Sequence, residues 1–129
     1  LIAVMRIDHP LAKKASIGIS DFDGVDVVQL ANCPLAVRFR QVCDDAGIKP
    51  RFLKHVASCD QILSLVREGL GVAALPQTVA QDSDLAVKPI EGLSVDRAIT
   101  LGAVAGRKFS PASDAFVKLA RTRDWGRSA

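Results

Sequence analysis

Apolar residues fall along this chain in short blocks whose period alternates between that of a helix and that of a strand. Leu1–Ile7 is a continuous apolar run ended by Asp8-His9-Pro10 and reads as a strand. Ile19–Phe22 reads as one helical turn, and Val25–Leu30 as a second strand. Pro34 suits the first position of a helix, where its missing N–H costs nothing, with Asn32 or Cys33 as the cap. Leu35, Phe39, Val42 and Ala46 then mark one face through Gly47. Arg51–Val56 is a third strand. Ser58 and Gln61 form a capping-box pair that opens a second helix, with Ile62, Leu63, Leu65 and Val66 on its apolar face. Gly69 closes that helix in a left-handed turn, and Leu70-Gly71 lead out of it. Val72–Leu75 is too short for a helix and is stopped by Pro76, so it reads as a buried strand. A polar turn over Gln77–Ala80 precedes a strand over Leu85–Ile90, which Pro89 marks as an edge or an end. Arg97–Ala105 reads as a further strand. A last helix opens at Ser110-Pro111 with Ala112, Phe116, Leu119 and Ala120 on one face. Strand and helix alternate throughout, which predicts an α/β fold.

Composition narrows this. At 129 residues and 49% apolar, the chain makes about one domain with a real core. No apolar run approaches the ~20 residues of a membrane helix. LIAVMRI lacks the basic flank and cleavage site of a secretory signal. The chain starts on Leu and its single Met is at position 5, which reads as a fragment or processed product of a longer protein. Three cysteines, an odd number, argue against a secreted disulfide framework and for a reducing compartment. The net charge of +3 is a C-terminal feature: residues 1–106 carry 11 basic against 12 acidic side chains, residues 107–129 carry 6 against 2. Without interleaved aromatics, that tail reads as a solvated helix face and not as a nucleic-acid patch.

Catalytic and metal chemistry find little support. The chain has no nucleophile elbow, phosphate loop, dinucleotide fingerprint or zinc-protease motif. His9 has no second ligand at metal spacing and reads as a turn residue, and His55 as a packed or edge residue of its strand. Asp21, Asp23 and Asp26 lack the spacing and closing Glu of a calcium loop. No catalytic residue, metal or cofactor is predicted. The two helix starts are more informative. A strand-to-helix turn presents free backbone N–H groups and the positive end of a helix dipole, which together receive carboxylate, phosphate or sulfate. Arg38, one turn into the first helix, is either a contact for such an anion or a solvent-exposed residue.

SLVREGLGVAALP, at residues 64–76, resembles the "lVaaGlGvallP" signature of the effector-binding domain of LysR-type transcriptional regulators. His9-Pro10-Leu11-Ala12, Ala46-Gly47-Ile48-Lys49-Pro50 and Phe109-Ser110-Pro111-Ala112 resemble three further landmarks of that family, in the same order, over about 105 residues. The resemblance implies a periplasmic-binding-protein-like (type 2) α/β lobe, a mixed sheet flanked by helices, with the first lobe incomplete. Residues 1–12 would be an inter-lobe crossing strand and its HPLA turn, 13–96 the second lobe, and 97–129 a second crossing strand and a helix belonging to the first lobe. Asn32, Cys33, Pro34, Ser58, Cys59, Leu75 and Pro76 would form one wall of an inter-lobe cleft for a small anionic effector. Ser58 would cap its helix, and on this reading touch ligand as well. The resemblance further implies a cytoplasmic regulator that self-associates as a dimer or tetramer and reaches DNA only through an N-terminal helix-turn-helix outside this chain, with no membrane contact and no enzymatic activity.

Two other readings stand beside it. One is half of a solute-binding protein serving transport, which shares the fold but needs a secretory signal. The other is a thiol redox-sensing LysR-type domain using Cys33 and Cys43. The NCPLAV sequence lacks the polar surround of the peroxide-sensing member, and its cysteine spacing is one residue longer. Cys43 therefore reads first as a small, partly buried apolar residue.

Overall fold

The computed structural model describes residues 1–79, 84–93, 95 and 100–125. The chain divides into two compact units, Leu1–Asp96 and Arg97–Ala129. The first is built on a five-stranded mixed sheet: β1 (Ile2–Arg6), β2 (Asp26–Leu30), β3 (Arg51–Val56), β4 (Val72–Leu75) and β5 (Leu85–Pro89), in the order β3-β2-β4-β1-β5. β2 runs parallel to both β3 and β4, while β1 is antiparallel to β4 and to β5. The carboxyl ends of β2, β3, β4 and β5 and the start of β1 therefore share one edge of the sheet, with Ile2 opposite Leu75 and Pro89. Pro89 closes β5 on the outer edge, where a missing backbone donor is tolerated.

Two helices cover the two faces. α1 (Pro34–Asp45) buries Leu35, Phe39 and Cys43, the last two in a core cluster with Ala3, Met5, Val27 and Val72. α2 (Cys59–Arg67) buries Ile62 and Val66 in a second cluster with Val4, Val28 and Ala73, the alternate residues of the same strands. The expected α1 stripe shifts at its end. Cys43 is fully buried, whereas Ala46 is the exposed C-cap, because the helix stops at Asp45 and the i, i+4, i+8 row from Leu35 falls on Cys43. Single 3₁₀ turns occupy Pro10–Lys13, Ile19–Phe22 and Gln77–Val79. His9 caps the first of these: its Nδ1 accepts from the Leu11 N–H at 3.2 Å. Ala80, at the end of the expected polar turn, lies outside the described residues.

The three aspartates of the early loop are spent individually. Asp21 pairs with Lys14, Asp23 accepts from the Lys49 N–H, and Asp26 pairs with Arg51 at 2.7 Å. Each paired partner holds its aspartate, Asp21 and Asp26, below the usual carboxylate range. Among the described residues no group of acidic, His or Cys side chains is arranged to hold a metal.

In the second unit, α3 (Pro111–Thr122) starts at Ser110, whose Oγ accepts from the Ser113 N–H at 3.2 Å. Phe116 and Leu119 are exposed, at 60% and 69%. The Trp125 indole N–H donates to the Ala120 carbonyl at 2.7 Å, so the tail folds back on the end of this helix. The strand expected over Arg97–Ala105 is not formed in its described part: Thr100–Val104 are irregular and a turn follows at Ala105-Gly106. A strand exists by virtue of its ladder, and no described strand pairs with this segment. Residues 97–99 lie outside the described set.

Candidate functional site at the carboxyl edge of the sheet

β2 ends at Leu30, and two residues later Asn32 adopts a left-handed conformation, φ 53°, the single non-glycine to do so among the described residues. Asparagine tolerates this region better than most side chains. Asn32 is thus used to turn the chain, and Cys33 becomes the N-cap of α1 with extended backbone and no side-chain cap bond. Pro34 follows at the first helical position. α1 therefore begins with first-turn N–H groups that no cap side chain satisfies.

α2 begins one strand away on the same edge. Ser58 Oγ accepts from the Gln61 N–H at 3.3 Å, and Gln61 Oε1 accepts from the Ala57 N–H at 3.0 Å. The reciprocal arm of the capping box thus reaches one residue further back than the usual pattern, which places it on Ser58 itself. Ser58→Ala is expected to lower the unfolding free energy by about 1 kcal/mol, whereas Ser58→Asp, which retains a cap acceptor, changes it by a few tenths. Urea titration of the two variants against the parent chain measures both.

β4 supplies the third piece, Leu75 and Pro76. Leu75 is only 3% exposed, its side chain lying in the α2-side core. It offers the edge its backbone alone. Asn32 and Pro34 are exposed, and Cys33, Ser58, Cys59 and Pro76 are half-buried. Strand order explains why these residues share an edge: β3, β2 and β4 are parallel neighbours, so their succeeding turns all lie on one side. Arg38 is exposed and bonds Gln41 at 3.3 Å.

Sequence reasoning overlooked a polar brace under the start of α1. Gln29 is 5% exposed between the apolar residues Val28 and Leu30 of β2, and its Oε1 accepts from Arg40 Nη2 at 2.9 Å. The same nitrogen lies 3.0 Å from His55 Nε2, and the guanidinium sits 4.4 Å over the Phe52 ring. The brace ties α1 to β2 and β3. Its one sequence signal was a glutamine inside the run VDVVQL. His55 is accordingly an exposed residue of the edge strand with a structural partner.

The cysteines differ in environment. Burial, and secondarily Asp44, pushes the Cys43 thiol up to about 11. Burial, then the charge of Cys33, then that of Asp60, push the Cys59 thiol up. At the opposite edge of the sheet, a depression of about 330 Å³ is lined by Arg6, Asp8, His9, Glu68, Gly69 and Gly71. Arg6 there is already committed to Asp8, in a two-point pair at 2.9 and 2.6 Å.

A family model described as the LysR substrate binding domain matches residues 1–125. The chain belongs to that family. This LysR-type domain is 29% identical over 73 residues to the HTH-type transcriptional regulator AlsR of Bacillus subtilis strain 168, a match covering 54% of this chain and 24% of AlsR. In three dimensions it is similar to the Synechocystis PCC6803 CcmR regulatory domain in complex with 2-PG. The TM-score is 0.79 at 20% identity, covering 96% of this chain and 63% of that one. It is also similar to the effector binding domain of QuiR in complex with shikimate, with a TM-score of 0.78 at 25% identity over 92% of this chain and 58% of that one. The mixed sheet with flanking helices is the periplasmic-binding-protein-like type 2 arrangement of these domains. The chain spans about a quarter of the curated relative and less than two thirds of either structural neighbour. No described helix of this LysR-type domain is long and apolar enough to cross a membrane.

Proposed function

We propose that this chain is the effector-sensing part of a LysR-type transcriptional regulator and takes a small anionic molecule against the carboxyl edge of its sheet. The observation that carries the reading is the start of α1, which points at this edge without a side-chain cap, next to the Ser58-capped start of α2. Free N–H groups and two helix dipoles there favour a carboxylate or phosphate. Asn32, Cys33, Pro34, Ser58, Cys59 and Pro76 would surround the anion, and Leu75 would contribute its backbone. Two structural neighbours are in complex with shikimate and with 2-PG, which supports a small-molecule ligand.

On this reading residues 1–12 are an inter-lobe crossing strand and its turn, residues 13–96 the second lobe, and residues 97–129 a return segment and helix belonging to a first lobe that supplies the facing wall. Effector closure shifts the relation of the lobes, and through it the oligomer that places a helix-turn-helix on DNA. The regulator is cytoplasmic, self-associating and without catalytic residues.

Titration of the isotope-labelled chain with shikimate, 2-PG and inorganic phosphate, followed by amide NMR, tests the site. The expected result is a saturable shift confined to amides at the starts of α1 and α2, such as Leu35, Ala36 and Asp60. Shifts centred on the Arg6–His9 depression, or none with any of the three anions, would overturn it.

A further inference from the structure

Cys33 and Cys59 occupy matched positions beyond neighbouring strands. Leu30 pairs with Val56 in the parallel β2–β3 ladder, and the Ala31 N–H continues that ladder by donating to the Val56 carbonyl at 2.8 Å. Cys33 lies three residues after Leu30, and Cys59 three residues after Val56. Paired strands are about 4.8 Å apart, and a disulfide spans Cα separations of about 4.4–6.8 Å. Both cysteines sit where the helices leave the sheet edge, Cys33 as the N-cap of α1 and Cys59 as the first residue of α2, and the two helices then take opposite faces. Both are free and half-buried. A charge on Cys33 also reaches the Cys59 thiol.

We propose that Cys33 and Cys59 form a reversible dithiol–disulfide site on the carboxyl edge of the sheet, closed by exchange with a low-molecular-weight disulfide. Burial disfavours the Cys59 thiolate, so Cys33 is the entering nucleophile. Its sulfur attacks one sulfur of the small disulfide, breaking that S–S bond and releasing one small thiolate. Cys59 then loses its proton and attacks the Cys33 sulfur of the mixed disulfide, releasing the second small thiolate. The two protein thiols are oxidised by two electrons, the small disulfide is reduced to two thiols, and the two protons end on those thiols. Cys43 takes no part. It is fully buried, and ten residues of helix rise hold it about 15 Å from Cys33. The closed bond would tie together the two turns that make the candidate effector edge, a consequence that rests on the effector reading; formation of the bond does not.

The test is incubation of the native chain with oxidised glutathione, acid quench, alkylation and non-reducing peptide mass spectrometry, with no effector present. The expected product is an intramolecular Cys33–Cys59 peptide pair in a monomer, with Cys43 alkylated only after denaturation. Cys33→Ser and Cys59→Ser should each stop at a glutathione adduct on the remaining edge thiol. Stable separate adducts on Cys33 and Cys59 of the parent chain, a Cys33–Cys43 link, or no oxidation at either edge thiol would each overturn the proposal. Because no effector enters the assay, failure of the ligand reading leaves this result interpretable.

Discussion

Phe39→Ala is expected to lower the unfolding free energy of this chain by about 3–5 kcal/mol. Phe39 is completely buried, and its ring meets Phe22 edge to face with centroids 4.9 Å apart and planes at 76°. Truncation removes the apolar burial, leaves a cavity between α1 and the sheet, and deletes an aromatic pair worth about 0.5–1.5 kcal/mol beyond its area. Val37, two positions earlier, is 67% exposed on the outward face, and Val37→Ala should change stability by less than about 0.5 kcal/mol. Denaturant unfolding of the two variants side by side is the measurement. A cost below about 1 kcal/mol for Phe39→Ala would mean that α1 is not seated on the sheet as described.

Gly71→Ala is expected to cost about 3 kcal/mol or more, from backbone strain together with displacement of packed main chain. Gly71 has φ 154°, and a Cβ built there would lie only 2.4 Å from the Asp26 carbonyl oxygen, a contact that main chain cannot yield to cheaply. The crowding arises where β4 enters the sheet alongside β2, so relief means moving β4, and Leu75-Pro76 with it. Gly92 is the control. It too has positive φ, 73°, but a Cβ there meets open space, so Gly92→Ala should cost about 1 kcal/mol. For a unit of this size, thermal unfolding should place Gly71→Ala about 12 °C or more below the parent and Gly92→Ala a few degrees below. Equal shifts for the two variants would show that the close approach to Asp26 carries no cost.

Most of the elements were legible in the residue pattern, because each is specified within a few positions. The α2 helix is an example. Ser58 and Gln61 set its start, Ile62 and Val66 its buried stripe, and Gly69, at φ 81°, its end. The turn into α1 was less so. Asn32 and Cys33 are both plausible caps locally, and the choice fell to Cys33 because Asn32 was needed in a left-handed turn. Leu75 was readable as a strand end but not as a residue whose side chain faces away from the edge. Gln29, Arg40 and His55 are spread over 27 positions and become one brace only when β2, β3 and α1 assemble. The segment from Arg97 shows the opposite limit. Its apolar residues satisfy a strand pattern, yet its described part is irregular, since a pattern is not a ladder.

By itself the sequence determined the alternation of strands and helices, their caps and stops, and the membership of a LysR-type domain family carried by its glycine-centred motif. These are local properties, set by period, backbone freedom at glycine and proline, and side chains that reach no more than a turn away. Only the tertiary structure decided that the turns after β2, β3 and β4 lie on one edge, that α1 and α2 take opposite faces, and that Cys33 and Cys59 stand at equivalent steps beyond paired residues. Strand order and register are settled by which apolar faces bury together over long separations, and no short window of sequence contains that information.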